Sequence, residues 1–296
     1  MSVTLGSPPA DFSAYWEKTL AELDALPVAP QVTAVPMRSS PESTLYEVRM
    51  TSTGPYRILA YYSVPNEGEG PFPVVYHAPG YGSVVHIAPF AERAKYVTVA
   101  LRHRGQRLAD QPFKAAFPGL LTTGIESPDS YVYRGIVADC CRVMDFLATR
   151  EEVAQDKIAV VGNDLALFTA ALRPQVDALY CSPSLFYAAS QLAPQTSAYP
   201  VEELNDYARY YPEKAQAMWD TLAYFEPAYF APQVKADTVI VNGESAALQP
   251  LVKAFGGSVE TYASQHSGFL DGVVQATWLA ERYGIGEVPL PPHWQS

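Results

Sequence analysis

The order of apolar and polar positions along the chain shows two different periods. Short apolar runs bounded by Gly, Pro or Asn predict strands over 45–51, 56–64, 73–77, 96–101, 176–183, 236–244 and 258–262. Apolar residues at helical spacing predict an amphipathic helix over 11–23, a long helix over 136–149 and a final helix over 271–283. This alternation over the whole length predicts an α/β fold with a doubly wound, mainly parallel sheet and helices on both faces.

Chain length and the position of aromatic residues bound the domain organisation. A chain of 296 residues is long enough for one large α/β domain, and we expect a single domain over 1–296. Within it, 1–45 is expected to form an N-terminal helix and extension. The segment 186–230 is rich in aromatic residues, and we expect it to be a cap-like insertion over a pocket or an oligomer surface.

One stretch, 157–168, combines a short apolar strand, a sharp turn and the start of a helix. Gly162 and Ala166 keep both flanks of the turn small, and Asp164 is the central residue. In a G-x-S-x-G elbow the nucleophilic serine stands at that centre, and its flanks are small because a larger side chain would clash in the tight turn. We therefore expect the turn geometry to be retained and its chemistry to be changed.

Charge and composition narrow the possible partners. The formal net charge of −11 disfavours a nucleic acid or an anionic membrane as partner. The chain has no run of about 18 apolar residues, and its first residues lack the basic and apolar regions of a signal peptide. We therefore expect no membrane span and a cytoplasmic location. The three cysteines are expected to be buried thiols, and without a metal-ligand cluster neither a metal nor a cofactor is expected.

A group of cations follows the apolar run 96–101. Arg102, Arg104 and Arg107 lie close together around His103 and could bind a phosphate or a carboxylate. The alternative, which we favour, is that the arginines tie loops together through carboxylates and carbonyl groups.

Five motifs spread over nearly the whole chain resemble those of the acetylxylan esterase / cephalosporin-C deacetylase family. They are Asp11-Phe12-x-x-Tyr15-Trp16, Pro79-Gly80-Tyr81, Arg104-Gly105-Gln106, Tyr131-Val132-Tyr133-Arg134-Gly135-x-x-x-Asp139-x-x-Arg142 and Thr221-Leu222-Ala223-Tyr224-Phe225-Glu226-Pro227. The resemblance implies an α/β-hydrolase fold, a small-molecule ester or carbohydrate-like ligand, and a homo-oligomer. It also implies oxyanion-hole donors at Tyr81 and at Leu165, the residue after the nucleophile position.

The residues that carry catalysis in this family are mostly replaced here. The family elbow reads G-x-S-Q-G, and Asp164 stands where it has serine. The position of the family's acid is Ala246, and its H-E motif appears as His266-Ser267. Glu244, two residues before Ala246, could reach His266 from the same loop. The candidate catalytic set is therefore Asp164, His266 and Glu244.

Three functions are compatible with this set. The first, which we favour, is a binding or assembly subunit that has lost serine-esterase catalysis, with Asp164 held at a helix N-terminus. If His266 lies beside Asp164, the two are expected to form an ion pair. The second is a covalent hydrolase in which Asp164 attacks an sp3 carbon, His266 activates water and Glu244 orients His266, as in dehalogenases and epoxide hydrolases. The third is residual ester hydrolysis by water that His266 activates.

Overall fold

The computed structural model describes residues 3–82, 84–109, 115 and 117–294. Its central sheet contains nine strands: β1 (Gln31–Ala34), β2 (Ser43–Ser52), β3 (Tyr56–Pro65), β4 (Phe72–His77), β5 (Val97–Arg102), β6 (Val153–Gly162), β7 (Ala178–Cys181), β8 (Asp237–Val241) and β9 (Val259–Tyr262). The spatial order is β1-β2-β3-β5-β4-β6-β7-β8-β9. Pairing is antiparallel from β1 to β5 and parallel from β5 to β9, which confirms the predicted mainly parallel sheet.

Ten α-helices connect or flank these strands in the described part of the chain. They are α1 (Phe12–Asp24), α2 (Phe90–Arg93), α3 (Val132–Leu147), α4 (Asp164–Leu172), α5 (Ala189–Leu192), α6 (Glu202–Tyr210), α7 (Ala215–Leu222), α8 (Pro227–Phe230), α9 (Gln249–Ala254) and α10 (Gly268–Tyr283). The long helices were predicted from the apolar period, whereas the short ones from α5 to α9 were not. Helices of four to nine residues carry too few turns to show that period clearly.

Both faces of the sheet are covered, as predicted. Side chains on a strand alternate between the two faces. On β4, Val74 and Tyr76 belong to a large core cluster shared with α1, α3 and α4. Val75, between them, belongs to a second cluster with Leu279 and Tyr283 of α10. Because β4, β6, β7, β8 and β9 are parallel, their carboxyl ends lie at one edge of the sheet. This is the edge where α/β folds place their ligand sites.

The aromatic segment 186–230 contributes several of its rings to the core, whereas Tyr199 and Tyr210 are exposed. Phe186, Phe225 and Phe230 are at most 1% exposed. Phe225 and Phe230 both pack edge-on against Trp16 of α1, with ring centroids 5.3 Å apart. The aromatic period of α1 is thus explained by packing against this segment.

Arg104 confirms the structural interpretation of the cation group. Its guanidinium binds both carboxylate oxygens of Asp139 on α3, at 2.9 and 2.7 Å, and donates to the Thr53 carbonyl. Arg102 donates to the Arg107 carbonyl at 3.0 Å. These arginines therefore tie loops to the sheet. Within the described residues we find no helix with both the length and the apolar character needed to cross a membrane.

Candidate active site

The turn between β6 and α4 is tight, and the tightness rests on Gly162. This residue has φ +150°, a conformation that favours glycine. A Cβ atom there would lie 3.1 Å from the Cβ of Ala78 and 3.7 Å from the Cβ of Ala166. Asp164 itself has no positive φ and is the first residue of α4. The flanks are therefore small as expected, whereas the strained conformation of a nucleophile elbow is not found at the central residue.

Asp164 is fully buried and is hydrogen-bonded by backbone groups. Its Oδ2 accepts from the N–H groups of Ser184 and Leu185 at 2.8 and 2.9 Å, and its Oδ1 accepts from Phe186 N–H at 3.3 Å. Burial raises the pKa of the Asp164 carboxyl, and these hydrogen bonds offset part of the rise. The carboxylate thus anchors the loop that follows β7.

The side chain of Asn163 accepts a hydrogen bond from Leu165 N–H, the backbone donor that an oxyanion hole would use. Its side-chain Oδ1 accepts from Leu165 N–H at 3.0 Å and forms the N-cap of α4. The expected donor at Leu165 is therefore engaged within the turn. An Asn directly before a helical segment is a recognised capping signal, so the sequence could have identified this contact.

Tyr81 lies on the loop after β4, at the same edge of the sheet as the β6–α4 turn. Its hydroxyl donates to Oε1 of Glu203 and accepts from Leu120 N–H at 3.1 Å. Burial and the Glu203 carboxylate raise the pKa of Tyr81. Gln106 holds the loop by donating to the carbonyl groups on both sides of Tyr81, at 3.0 and 2.7 Å. The side chain of Tyr81 thus joins this loop to α6.

His266 lies on the exposed loop after β9. It has φ +54°, and its backbone N–H donates to Ser264 Oγ at 3.1 Å. Its ring has no hydrogen bond or ion pair with any residue that the structure describes. Asn242 ties this loop to the one after β8, because its Oδ1 accepts from Ser264 N–H at 2.9 Å.

The predicted catalytic set is not brought together as a triad. Glu244 and Ala246 are exposed on the loop after β8, and Glu244 has no polar partner within the described ranges. Asp164 is directed at the backbone of the loop 184–186, whereas His266 is exposed to solvent. The expected ion pair between Asp164 and His266 is therefore not formed. The physical reason is that three backbone N–H groups already hold the Asp164 carboxylate.

Glu226 is a buried carboxylate that the sequence analysis did not single out. Its Oε2 accepts from Ala188 N–H at 2.8 Å, and its Oε1 accepts from Ala228 N–H at 3.3 Å. Burial raises the pKa of Glu226 to about 7. A Glu directly before Pro227 matches a capping residue followed by proline in the first turn, which was the available signal.

A cavity of about 290 Å³ adjoins the loop that Asp164 anchors. Its walls come from the loop after β7, from α5 and from the loop after β8, and they include Leu185, Tyr187, Leu192, Ser245 and Leu248. The cavity is mainly apolar with a few hydroxyl groups, which is typical of a small-molecule pocket. Asp164 is separated from it by the backbone of Ser184 and Leu185, whose N–H groups it binds.

Comparison with known proteins identifies the family. The model of the family described as acetyl xylan esterase (AXE1) matches residues 5–255. Among solved structures, an acetyl xylan esterase from Paenibacillus sp. R4 is similar with TM-score 0.83 and 24% identity, over 95% of this chain and 97% of that chain. Acetyl xylan esterase 1 from Thermoanaerobacterium sp. JW/SL YS485 is similar with TM-score 0.78 and 20% identity, over 95% and 96%.

These structural likenesses, at identities below 25%, show a shared fold. A 2,6-dihydroxy-pseudo-oxynicotine hydrolase shares it more distantly, with TM-score 0.51 and 15% identity over 96% of this chain and 77% of that chain. The fold is thus that of the α/β-hydrolases. The family model covers most of the chain, and the protein therefore belongs to the acetyl xylan esterase family.

Proposed function

We propose that this protein has lost serine-esterase catalysis and acts as a binding or assembly subunit. The observation that carries the proposal is the environment of Asp164. This carboxylate replaces the nucleophilic serine, is fully buried and accepts three backbone N–H groups. It therefore has a structural task in place of a hydroxyl nucleophile.

The chemistry of ester cleavage supports the same conclusion. Attack by a carboxylate on an acetyl ester gives a mixed anhydride, which is higher in free energy than the ester. Loss of the serine alone removes a factor on the order of a million from the turnover of a serine hydrolase. In addition, Leu165 N–H is capped by Asn163, and Ala246 cannot orient His266.

The second candidate function uses Asp164 as a covalent nucleophile toward an sp3 carbon. It needs His266 close to the ester that forms, so that activated water can hydrolyse it. His266 is exposed and the Asp164 carboxylate is directed inward, and both observations favour the loss of catalysis over this covalent mechanism.

The ligand we propose is a small-molecule ester or carbohydrate-like compound bound in the cavity of about 290 Å³. The volume lies at the lower end of the range for small-molecule sites. The family resemblance supports a homo-oligomer. The three cysteines are buried free thiols, which supports a reducing compartment such as the cytoplasm.

The test is hydrolysis of p-nitrophenyl acetate and of an acetylated sugar by the wild type, Asp164→Ala, Asp164→Ser and Asp164→Ser with Asn163→Ala. We expect no enzymatic turnover by the wild type or by Asp164→Ala. We expect Asp164→Ser to remain inactive as well, because Asn163 still occupies Leu165 N–H. Wild-type turnover that disappears in Asp164→Ala would contradict the proposal.

A second readout addresses the covalent alternative. His266→Ala would accumulate an alkyl ester on Asp164 if that alternative were correct, since its hydrolysis needs activated water. Mass spectrometry of this variant after exposure to epoxides and haloalkanes is expected to show the unmodified mass. A trapped adduct on Asp164 would establish the covalent hydrolase instead.

A further inference from the structure

A second cavity, of about 240 Å³, lies next to the first, and Ala189 lines both. It is enclosed by the N-terminal residues 5–7 and by α5, α7 and the start of α8. Thr4 and Gln191 hold the N-terminal segment in place by two hydrogen bonds, Thr4 N–H to Gln191 Oε1 at 3.2 Å and Gln191 Nε2 to the Thr4 carbonyl at 2.8 Å. The cavity is thus a formed feature of the fold.

The walls of this cavity combine aromatic rings with one carboxylate. Phe186, Trp219 and Tyr229 supply the rings, and Glu226 supplies the carboxylate. Glu226 is only 7% exposed to solvent. No Lys, Arg or His contributes to the cavity wall.

The charge on Glu226 has no opposite partner in the described part of the chain. Its hydrogen bonds come from the backbone N–H groups of Ala188 and Ala228, and no ion pair involves it. The titratable groups that interact with it are another carboxylate, Asp164, and the hydroxyls of Tyr187 and Tyr229. A buried carboxylate without a counter-charge is unfavourable, and its raised pKa reflects this cost.

We propose that this cavity binds a small organic ammonium ion, whose positive charge meets the Glu226 carboxylate and whose alkyl groups contact Trp219 and Tyr229. An ammonium ion supplies the missing counter-charge. Aromatic rings attract cations through their π faces and also cover alkyl groups. A volume of about 240 Å³ corresponds to roughly eight water molecules, which suits a ligand of fewer than about ten heavy atoms. Asp164 does not line this cavity, and the proposal does not rest on the proposed loss of esterase catalysis.

The probes are n-butylammonium and tetramethylammonium, with 1-butanol as the neutral control, titrated calorimetrically into the full-length protein. We expect at least one ammonium ion to bind and 1-butanol to give no binding. Binding should become about 30-fold weaker from about pH 8 to about pH 5.5, because Glu226 with a pKa of about 7 takes up a proton in that range. Near pH 7, binding of the cation should displace the proton from the fraction of Glu226 that is protonated, and this release is detectable as a dependence of the heat on the buffer.

Three variants test which residues of the cavity bind the ammonium ion. Glu226→Gln is expected to weaken binding by at least about tenfold and to abolish proton release, since the attracting charge is gone. Asp220→Asn removes an exposed acid adjacent to Trp219 and should leave binding unchanged. Trp219→Leu keeps Glu226 and should weaken binding several-fold, so the proposal stays testable if the Gln variant does not fold.

Absence of binding by both ammonium ions at millimolar concentration would overturn the proposal. Equal binding by the wild type and Glu226→Gln, or equal binding of 1-butanol, would do the same. Loss of binding in Asp220→Asn would assign the attraction to surface charge and would also overturn it. None of these outcomes bears on the hydrolysis assays, so the two proposals fail independently.

Discussion

At the scale of single residues, Asp164 and Glu226 hold the loop 184–188 from two sides. Asp164 accepts from the first three N–H groups of this loop, and Glu226 accepts from Ala188 N–H. Ala188 has φ +46°, which is uncommon for a residue with a Cβ atom. The loop therefore takes its conformation from two buried carboxylates, and this accounts for Asp164 in structural terms.

Replacing Asp164 is expected to destabilise the protein. Asp164→Ala leaves three N–H groups without their partner, two of them on the buried residues Leu185 and Phe186. It should lower the free energy of unfolding by about 3 kcal/mol, since each unsatisfied buried group costs about 1–3 kcal/mol. Asp164→Asn keeps one side-chain acceptor, so its free energy of unfolding should fall less than that of Asp164→Ala. Urea denaturation measures the difference. Asp156→Asn replaces an exposed acid on β6 and is the control, expected within about 0.5 kcal/mol of wild type.

The pH dependence of this difference has a defined sign. The folded-state pKa of Asp164 lies above its ordinary value of 3.8, so the folded protein holds this proton more strongly than the unfolded chain. The contribution of Asp164 to stability therefore falls as pH rises through the interval from 3.8 to the raised value. The gap between wild type and Asp164→Ala should be larger below this interval than above it. An Asp164→Ala protein as stable as the wild type would contradict the anchoring role.

At the scale of elements, α6 is attached to the loops around Tyr81 and Gly119 through one side chain. Glu203 of α6 accepts from the Tyr81 hydroxyl and from Leu121 N–H, the latter at 3.0 Å. Its carboxyl group lies directly against Gly119. The absence of a side chain at Gly119 is what allows Glu203 to reach both donors.

Gly119→Ala is expected to destabilise the attachment of α6. The added methyl group would overlap the Glu203 carboxyl group, which is buried and cannot move without losing its hydrogen bonds. We expect a loss of about 1–3 kcal/mol in the free energy of unfolding, typical of overpacking. Gly82→Ala is the matched control, because a Cβ atom there has nothing within 4 Å. Equal stability of the two variants would show that the Glu203 contact is dispensable.

At the scale of the whole molecule, a buried ion pair joins the central sheet to the helices on one of its faces. It connects Arg104, in the loop after β5, with Asp139 on α3. The Asp139 side chain has 0% exposure and that of Arg104 has 14%. Gly135, one turn before Asp139 on α3, leaves the space that the guanidinium fills. A contrasting pair, Lys18 with Asp129, joins α1 to a loop with side-chain exposures of 60% and 63%.

Removing the cation from each pair should give very different results. Arg104→Met leaves Asp139 buried without its partner and should cost about 3–5 kcal/mol in the free energy of unfolding. Lys18→Met should cost less than about 1 kcal/mol, since water already solvates both charges. Thermal or urea unfolding of the two variants measures both. A loss for Arg104→Met no larger than that for Lys18→Met would show that this ion pair does not hold the layers together.

The sequence alone determined most of the sheet, the long helices, the family resemblance and the presence of Asp164 at the predicted position of the family's serine. These follow from local periodicity and from residue identity at motif positions, which need no knowledge of distant contacts. The period over 136–149 and the apolar runs in β4 to β9 are signals of this kind. Strand β1 was missed because all four of its residues are exposed and lack the alternation of a half-buried strand.

Only the tertiary structure decided what the candidate residues do. Asp164 could have faced His266, but its partners are the N–H groups of a loop twenty residues further along the chain. The burial of Glu226 and the exposure of His266 likewise depend on which elements pack around them. A side chain's partner and its solvation are set by groups that are distant in sequence, so residue type and spacing leave several arrangements open.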